Sequence, residues 1–165
     1  MRIAVTGRPG IGKTTLCLKV YDGLKEKLRI SGFVTKEVRE GFRRVGFKLI
    51  DLSGGREVWL ARVGEGKVKV GKYAVFVDNL ENFLRSVDMY CDLLIIDEVG
   101  PMELKSRKFV DFMVDAMEME NVLVTIHYRS KHWLIERIRR TFKVYTIDER
   151  SRDVVAREIV RSYDR

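Results

Sequence analysis

Eight residues near the start of the chain, Gly7-Arg8-Pro9-Gly10-Ile11-Gly12-Lys13-Thr14, match the pattern G-x-x-x-x-G-K-[ST]. Glycines let successive backbone N–H groups converge on phosphate oxygens without side-chain clash, and a helix starting at Lys13 adds its positive end. In such a loop the lysine reaches the β- and γ-phosphates and the following hydroxyl binds magnesium. Lys13 and Thr14 stand at those places. Thr15 is a further candidate, touching the α-phosphate or serving only the helix. Arg8 and Pro9 fill variable positions, so the nucleotide-binding stretch is expected to run from Gly7 to Thr15.

A second acidic element lies far along the chain. The apolar run Leu93-Leu94-Ile95-Ile96 ends in Asp97-Glu98, and Val99-Gly100-Pro101 then turns the chain out of the sheet. A buried strand has little reason to end in two carboxylates. Beside a phosphate loop the aspartate holds magnesium, usually through water, and Asp97 fits that role. Glu98 fits a general base that accepts a hydrogen bond from the attacking water; its plain alternative is a solvated or ion-paired loop carboxylate. A base placed there favours hydrolysis, because a kinase must exclude water.

Charge developing on the transferred phosphoryl group is often met by an arginine. Arg39 and Arg43 are the first candidates, with Arg129 and Arg137 behind them, each weighed against an ordinary surface arginine. Thr125 and His127 lie two apart at a strand end, so both face one way and either can sense the γ-phosphate; a satisfied strand-end histidine is the commoner outcome. His132 shows no partner pattern. Trp59, Phe33, Phe42, Phe47 and Tyr73 interleave with basic residues as a stacking platform for a base or RNA would, although alternation along strands more often means core. Tyr128-Arg129 can flank a base.

These groups need elements to hold them. Residues 2 to 6 read as a strand running into the loop, and Cys17, Val20, Tyr21, Leu24 and Leu28 repeat at helical steps after it. Eight of the 13 glycines fall between Gly32 and Gly71. They separate strand-like stretches at Phe33 to Val38, Val45 to Leu52 and Glu57 to Val63, with Ser53-Gly54-Gly55 as a hairpin turn. Residues 32–71 therefore read as an antiparallel β insertion. Helix and strand then alternate: a helix from Asn79 to about Met89, the strand from Leu93 to Ile96, a helix from Ser106, a strand from Val122 to Ile126, a helix from Lys131 to about Arg140, a strand from Lys143 to Ile147, and a last helix. The expected fold is α/β, a mostly parallel sheet covered on both faces, with residues 1–165 as one domain.

A length of 165 residues with 45% hydrophobic content suffices for a core without disulfides or metal staples. No apolar run reaches membrane-spanning length, and Met1 to Val5 enters a strand pattern at once, so a cytoplasmic protein is expected, and a monomer. Cys17 and Cys91 sit in apolar surroundings and read as reduced core thiols. The net charge of +8 suits a polyphosphate or a nucleic-acid backbone, and in part the ion-pair-rich surface of a heat-adapted protein.

The combination resembles the small nucleoside-triphosphatases of archaea and bacteria related to the animal cancer-related nucleoside-triphosphatase. The resemblance spans nearly the whole chain. It is carried by the phosphate loop, by Gly32-Phe33-Val34-Thr35-Lys36-Glu37-Val38-Arg39 with Gly41, Arg43 and Gly46-Phe47, and by Ile95-Ile96-Asp97-Glu98-Val99-Gly100-Pro101-Met102-Glu103-Leu104. It implies a P-loop NTPase three-layer sandwich and Mg2+-dependent hydrolysis of the terminal phosphate of ATP, GTP, CTP and UTP with loose base preference. Nucleotide contacts carried over from the family fall on Gly7 to Thr14 and on Leu93, Leu94, Ile95, Ile96, Asp97, Glu98, Val99 and Gly100. Where members carry Asn-Arg after the last strand this chain has Ser151-Arg152, which puts a contact by that Asn in doubt. The rival expectations are a nucleotide or polynucleotide kinase and a nucleotide-switched RNA-binding protein.

Overall fold

A computed structural model describes residues 1–164. Its frame is one nine-stranded sheet. In chain order the strands are β1 (Arg2–Thr6), β2 (Ile30–Glu40), β3 (Arg43–Asp51), β4 (Glu57–Val63), β5 (Lys69–Val70), β6 (Tyr73–Val75), β7 (Leu93–Val99), β8 (Val122–Ile126) and β9 (Lys143–Thr146). They lie side by side as β5-β6-β4-β3-β2-β7-β8-β1-β9. From β2 to β9 every pairing is parallel; from β2 outward to β5 every pairing is antiparallel.

The helices are α1 (Lys13–Leu24), α2 (Val77–Arg85), α3 (Arg107–Ala116), α4 (Trp133–Thr141) and α5 (Arg152–Ser162). Side chains alternate across a strand, so each central strand feeds two cores. Ile3, Val5, Leu93, Ile95 and Leu123 meet Leu16, Cys17, Val20 and Leu24 of α1 and Val155, Ala156 and Ile159 of α5. Ala4, Leu94, Ile96, Val122 and Val124 meet Phe83 of α2, Phe109 and Met113 of α3, and Leu134 and Ile138 of α4. These two cores make the three layers of the sandwich. No helix among the described residues is long and apolar enough to cross a membrane.

Several expected boundaries move, each for a local reason. The expected antiparallel β segment is present and continues the main sheet: β2 pairs parallel to β7 through Ile30–Phe33, then runs on as one arm of a hairpin with β3. Gly32 permits that junction, having φ +113 and lying so close to β7 that a Cβ would stand 1.8 Å from the Ile95 carbonyl oxygen. Strands β5 and β6, two and three residues long, are too short to show a period. Helix α2 starts at Val77 and ends at Arg85, short of Met89. Helix α4 starts at Trp133, with His132 capping it as its Nδ1 accepts the Leu134 N–H at 3.1 Å.

Most of the aromatic residues belong to the fold. Phe33 is buried edge-on against Phe83 at 5.6 Å, and Phe47 leans on Tyr73 at 5.4 Å. Trp59 covers Gly46 with Lys48 and Arg62 on its ring. Phe42 alone of the five is open, 99% exposed at the β2–β3 tip. Cys17 is buried, its thiol pushed well up first by burial and then by the charge of Asp97; Cys91 is half-buried.

Candidate active site

The loop between β1 and α1 runs at the carboxyl edge of the parallel strands, where open α/β sheets bind ligands. Gly12, at φ +107, turns the chain into α1. Arg8, Pro9, Gly10 and Thr15 are exposed, whereas Lys13 is buried and its Nζ donates to the Gly7 carbonyl oxygen at 3.0 Å. The ammonium thus folds back over the loop, within the arc that phosphate oxygens would occupy.

Asp97 is 1% exposed and meets three elements at once. Its Oδ2 accepts from Thr14 Oγ1 of α1 at 2.6 Å and from the Thr35 N–H of β2 at 3.1 Å, and its Oδ1 accepts from Thr125 Oγ1 of β8 at 2.7 Å. The Thr35 hydroxyl also donates to the Asp97 carbonyl oxygen. Burial pushes this carboxyl up, while those hydrogen bonds and the charge of Lys13 pull it back. A buried carboxylate and a hydroxyl oxygen 2.6 Å apart form a hard-oxygen pair of the kind Mg2+ prefers, and a dication would supply the positive charge that the carboxylate lacks. Thr14 and Asp97 fit the metal.

Strand β7 is longer than its apolar run suggests and continues through Asp97 and Glu98 to Val99. Ile96 pairs with Val124 and Val99 with Ile126, so the two acidic residues occupy a bulge containing one extra residue. Bulges re-aim side chains, and here the bulge accommodates consecutive carboxylates at the sheet edge. Glu98 is half-buried, raised first by burial and then by Asp97, and lowered by Lys13. A Cβ on Gly100 would stand 2.6 Å from Glu98 Oε1, so the carboxylate lies across a residue without a side chain.

The remaining candidates divide. Leu93, Leu94, Ile95 and Ile96 are all 0% exposed and packed in the two cores, so the expectation that they contact nucleotide is corrected: of Leu93 to Gly100, Asp97 and Glu98 carry the polar chemistry. Val99 and Gly100 are buried beside them. Arg39 and Arg43 stand at the hairpin tip, roughly 13 Å of strand beyond Thr35. The Arg39 guanidinium is held by Glu37 at 2.5 Å and the Phe42 carbonyl at 3.0 Å. Arg43 is exposed, as are Arg129 and Arg137. His127 is half-buried at the end of β8; burial, then Lys13 and Arg139, lower its pKa, and its Nδ1 accepts the Arg129 N–H at 3.3 Å. The neutral ring therefore carries its proton on Nε2, where it is a donor.

Three participants had not been singled out. Thr35 braces Asp97 from 62 positions away. Arg152 lies over Gly12 and donates to the Ile11 carbonyl oxygen at 3.0 Å. Glu103, 4% exposed, approaches Glu98 from the turn after β7. Thr35, Arg152 and Glu103 stood in segments already marked, but only folding shows what each touches.

With this geometry the known proteins can be compared. A model of an NTPase family matches residues 2–160. The chain belongs to that family. Among this NTPase's relatives, the nucleoside-triphosphatase THEP1 of Archaeoglobus fulgidus is 65% identical over 161 residues, covering 98% of both chains. THEP1 of Methanocaldococcus jannaschii is 43% identical, covering 97% of this chain and 95% of that one. Two solved structures share the fold. THEP1 from Aquifex aeolicus superposes at a TM-score of 0.85 with 33% identity over 100% of each chain. A human cancer-related nucleoside triphosphatase superposes at 0.80 with 32% identity, over 98% of this chain and 96% of that one.

Proposed function

We propose that this NTPase hydrolyses the terminal phosphate of nucleoside triphosphates, with Mg2+, to the diphosphate and phosphate. The observation that carries the reading is the 2.6 Å contact between Thr14 Oγ1 and Asp97 Oδ2, which joins the phosphate loop to the β7 carboxylates at one point. Relatives as close as 65% identity bear the name nucleoside-triphosphatase.

Each group has one task. The loop N–H groups and Lys13 neutralise the phosphates. Thr14 and Asp97 would hold the cation, which would supply positive charge to the phosphates. Glu98, beside Asp97 in the bulge, orients water in line with the γ-phosphate and takes its proton. His127, near enough to Lys13 to feel its charge, is the further candidate for sensing the γ-phosphate. Arg39 and Arg43 reach the γ-phosphate only if the hairpin bends inward. Lys13, Thr14, Asp97 and Glu98 all address phosphate in this reading, which supports a loose base preference.

The test is phosphate release from ATP, GTP, CTP and UTP with Mg2+, for wild type, Lys13→Ala and Glu98→Gln, with nucleotide binding measured for each. Turnover is expected with all four substrates and lost in both variants, and Glu98→Gln is expected to keep binding. Undiminished turnover in Glu98→Gln would remove the base; transfer to an added acceptor in place of release would make the protein a kinase.

A further inference from the structure

The Glu98 carboxylate lies across Gly100, against whatever stands on the far side of that residue. What lies there is a second acid, which the mechanism so far does not use. Glu103 is 4% exposed and takes part in no ion pair among the described residues. A Cβ on Gly100 would stand 3.3 Å from Glu103 Oε1 and 2.6 Å from Glu98 Oε1, so the two carboxyl groups converge on one point.

The segment bearing Glu103 is built to stay in place. The Leu104 N–H donates to the Gly100 carbonyl oxygen at 2.9 Å and the Ser106 N–H to that of Glu103 at 3.1 Å. Met102 and Leu104 pack on the core. Ser106 Oγ accepts the Phe109 N–H at 3.0 Å, capping α3, and donates to Glu81 of α2 at 2.8 Å. Glu98 sits on the sheet edge without such anchors. A general base works best when a third group fixes its orientation.

We propose that Glu103 is the positioning residue for Glu98: in its neutral form it donates a hydrogen bond to one Glu98 oxygen and leaves the other turned toward the phosphate loop. The inference rests on the hydrolase reading of the site. Its enclosure beside another acid favours the neutral form, against the backbone N–H groups of Glu103 and Gly100, which favour the charged one. Burial first, and then the Glu98 charge, push it well above the usual carboxylate range. Gly100 allows the contact because any side chain there would stand between the two acids.

Glu103→Gln keeps a neutral donor of the same shape; Glu103→Leu keeps the volume and removes the donor. Phosphate release, affinity for a non-hydrolysable triphosphate with Mg2+, and thermal melting are measured for both. Glu103→Gln is expected to hold kcat within about threefold of wild type, and Glu103→Leu to lose on the order of 10²-fold in kcat with KM and affinity nearly unchanged. Glu103→Leu is expected to melt close to wild type, because the burial cost it removes offsets the hydrogen bond it loses; a purely structural glutamate would lower the melting temperature without a selective loss of kcat. Gly100→Ala, which forces a methyl against Glu98, is expected to lower kcat as well and decides the matter should Glu103→Leu not fold. Wild-type turnover in Glu103→Leu or Gly100→Ala, or a loss in Glu103→Gln as deep as in Glu103→Leu, overturns the proposal. Turnover intact in Glu98→Gln would instead defeat the base itself, so the two failures are distinguishable.

Discussion

Thr125 is fully buried, yet its hydroxyl is spent on Asp97 Oδ1 and not on the sheet. Thr125→Val keeps the shape and removes that donor, leaving burial to push the Asp97 carboxyl further up. The Mg2+ concentration for half-maximal turnover is expected to rise about tenfold or more, with metal-free nucleotide binding unchanged; an Mg2+ titration of both proteins checks this. His127 gives a pH dependence of definite sign. Its folded pKa is depressed, so the native state binds fewer protons than the unfolded chain, and stability is lost as pH falls through the unfolded value of about 6.5. His127→Gln is therefore expected to lose less stability than wild type between pH 7 and pH 5, measured by denaturant melts at both. Residues in local patterns were legible from sequence: Lys13 and Thr14 declare themselves by spacing, Asp97 and Glu98 by ending an apolar run. Thr35, Arg152 and Glu103 were not, because their roles are contacts across 62 and 141 positions, or burial of one among 24 acids.

At the scale of elements, the carboxylates are positioned by how β2 leaves β7. The close approach at Gly32 lets β2 pair parallel with β7 and still carry Thr35 to Asp97. Gly32→Ala would drive a methyl into the Ile95 carbonyl in an unfavourable backbone conformation. A loss of at least about 3 kcal/mol is expected. Gly41→Ala, at φ +63 on the hairpin with nothing within 4 Å, is expected to cost only about 1 kcal/mol. Urea midpoints compare the two directly, and equal losses would mean that the β2–β7 contact is not as tight as it looks. Boundaries were legible where an apolar run spans the element, as in β1, β4 and β8. They failed at β7, where polar residues continue the strand through a bulge, and at β2, whose single stretch serves two kinds of pairing.

The charge of the whole molecule is unevenly placed. Residues 36 to 72 hold ten Lys and Arg against five Asp and Glu, so +5 of the net +8 lies in the antiparallel half of the sheet. The acids there are largely taken up by ion pairs, among them Lys36 with Glu57, Arg62 with Glu40, and Arg39 and Arg44 with Glu37. A basic excess of this kind attracts polyanions without reading sequence, and such binding weakens with a log–log salt slope of about −0.7 per phosphate contact on single strands. The aromatic residues that would make the attraction specific are mostly spent inside the fold: Phe33 is in the core, Trp59 already carries two cations on its ring, and Phe42 alone is free. Single-stranded RNA is therefore expected to bind weakly at low ionic strength, to be released by about 0.2 M salt, and to bind alike with a diphosphate or a non-hydrolysable triphosphate in the site. Fluorescence anisotropy across a salt series checks all three. Binding that survives physiological salt and changes with the bound nucleotide would make hydrolysis the servant of an RNA switch, because a nucleotide can shift RNA affinity only by as much as RNA shifts nucleotide affinity. Salt-sensitive, nucleotide-blind binding leaves the phosphate loop and the β7 carboxylates as the whole of the function.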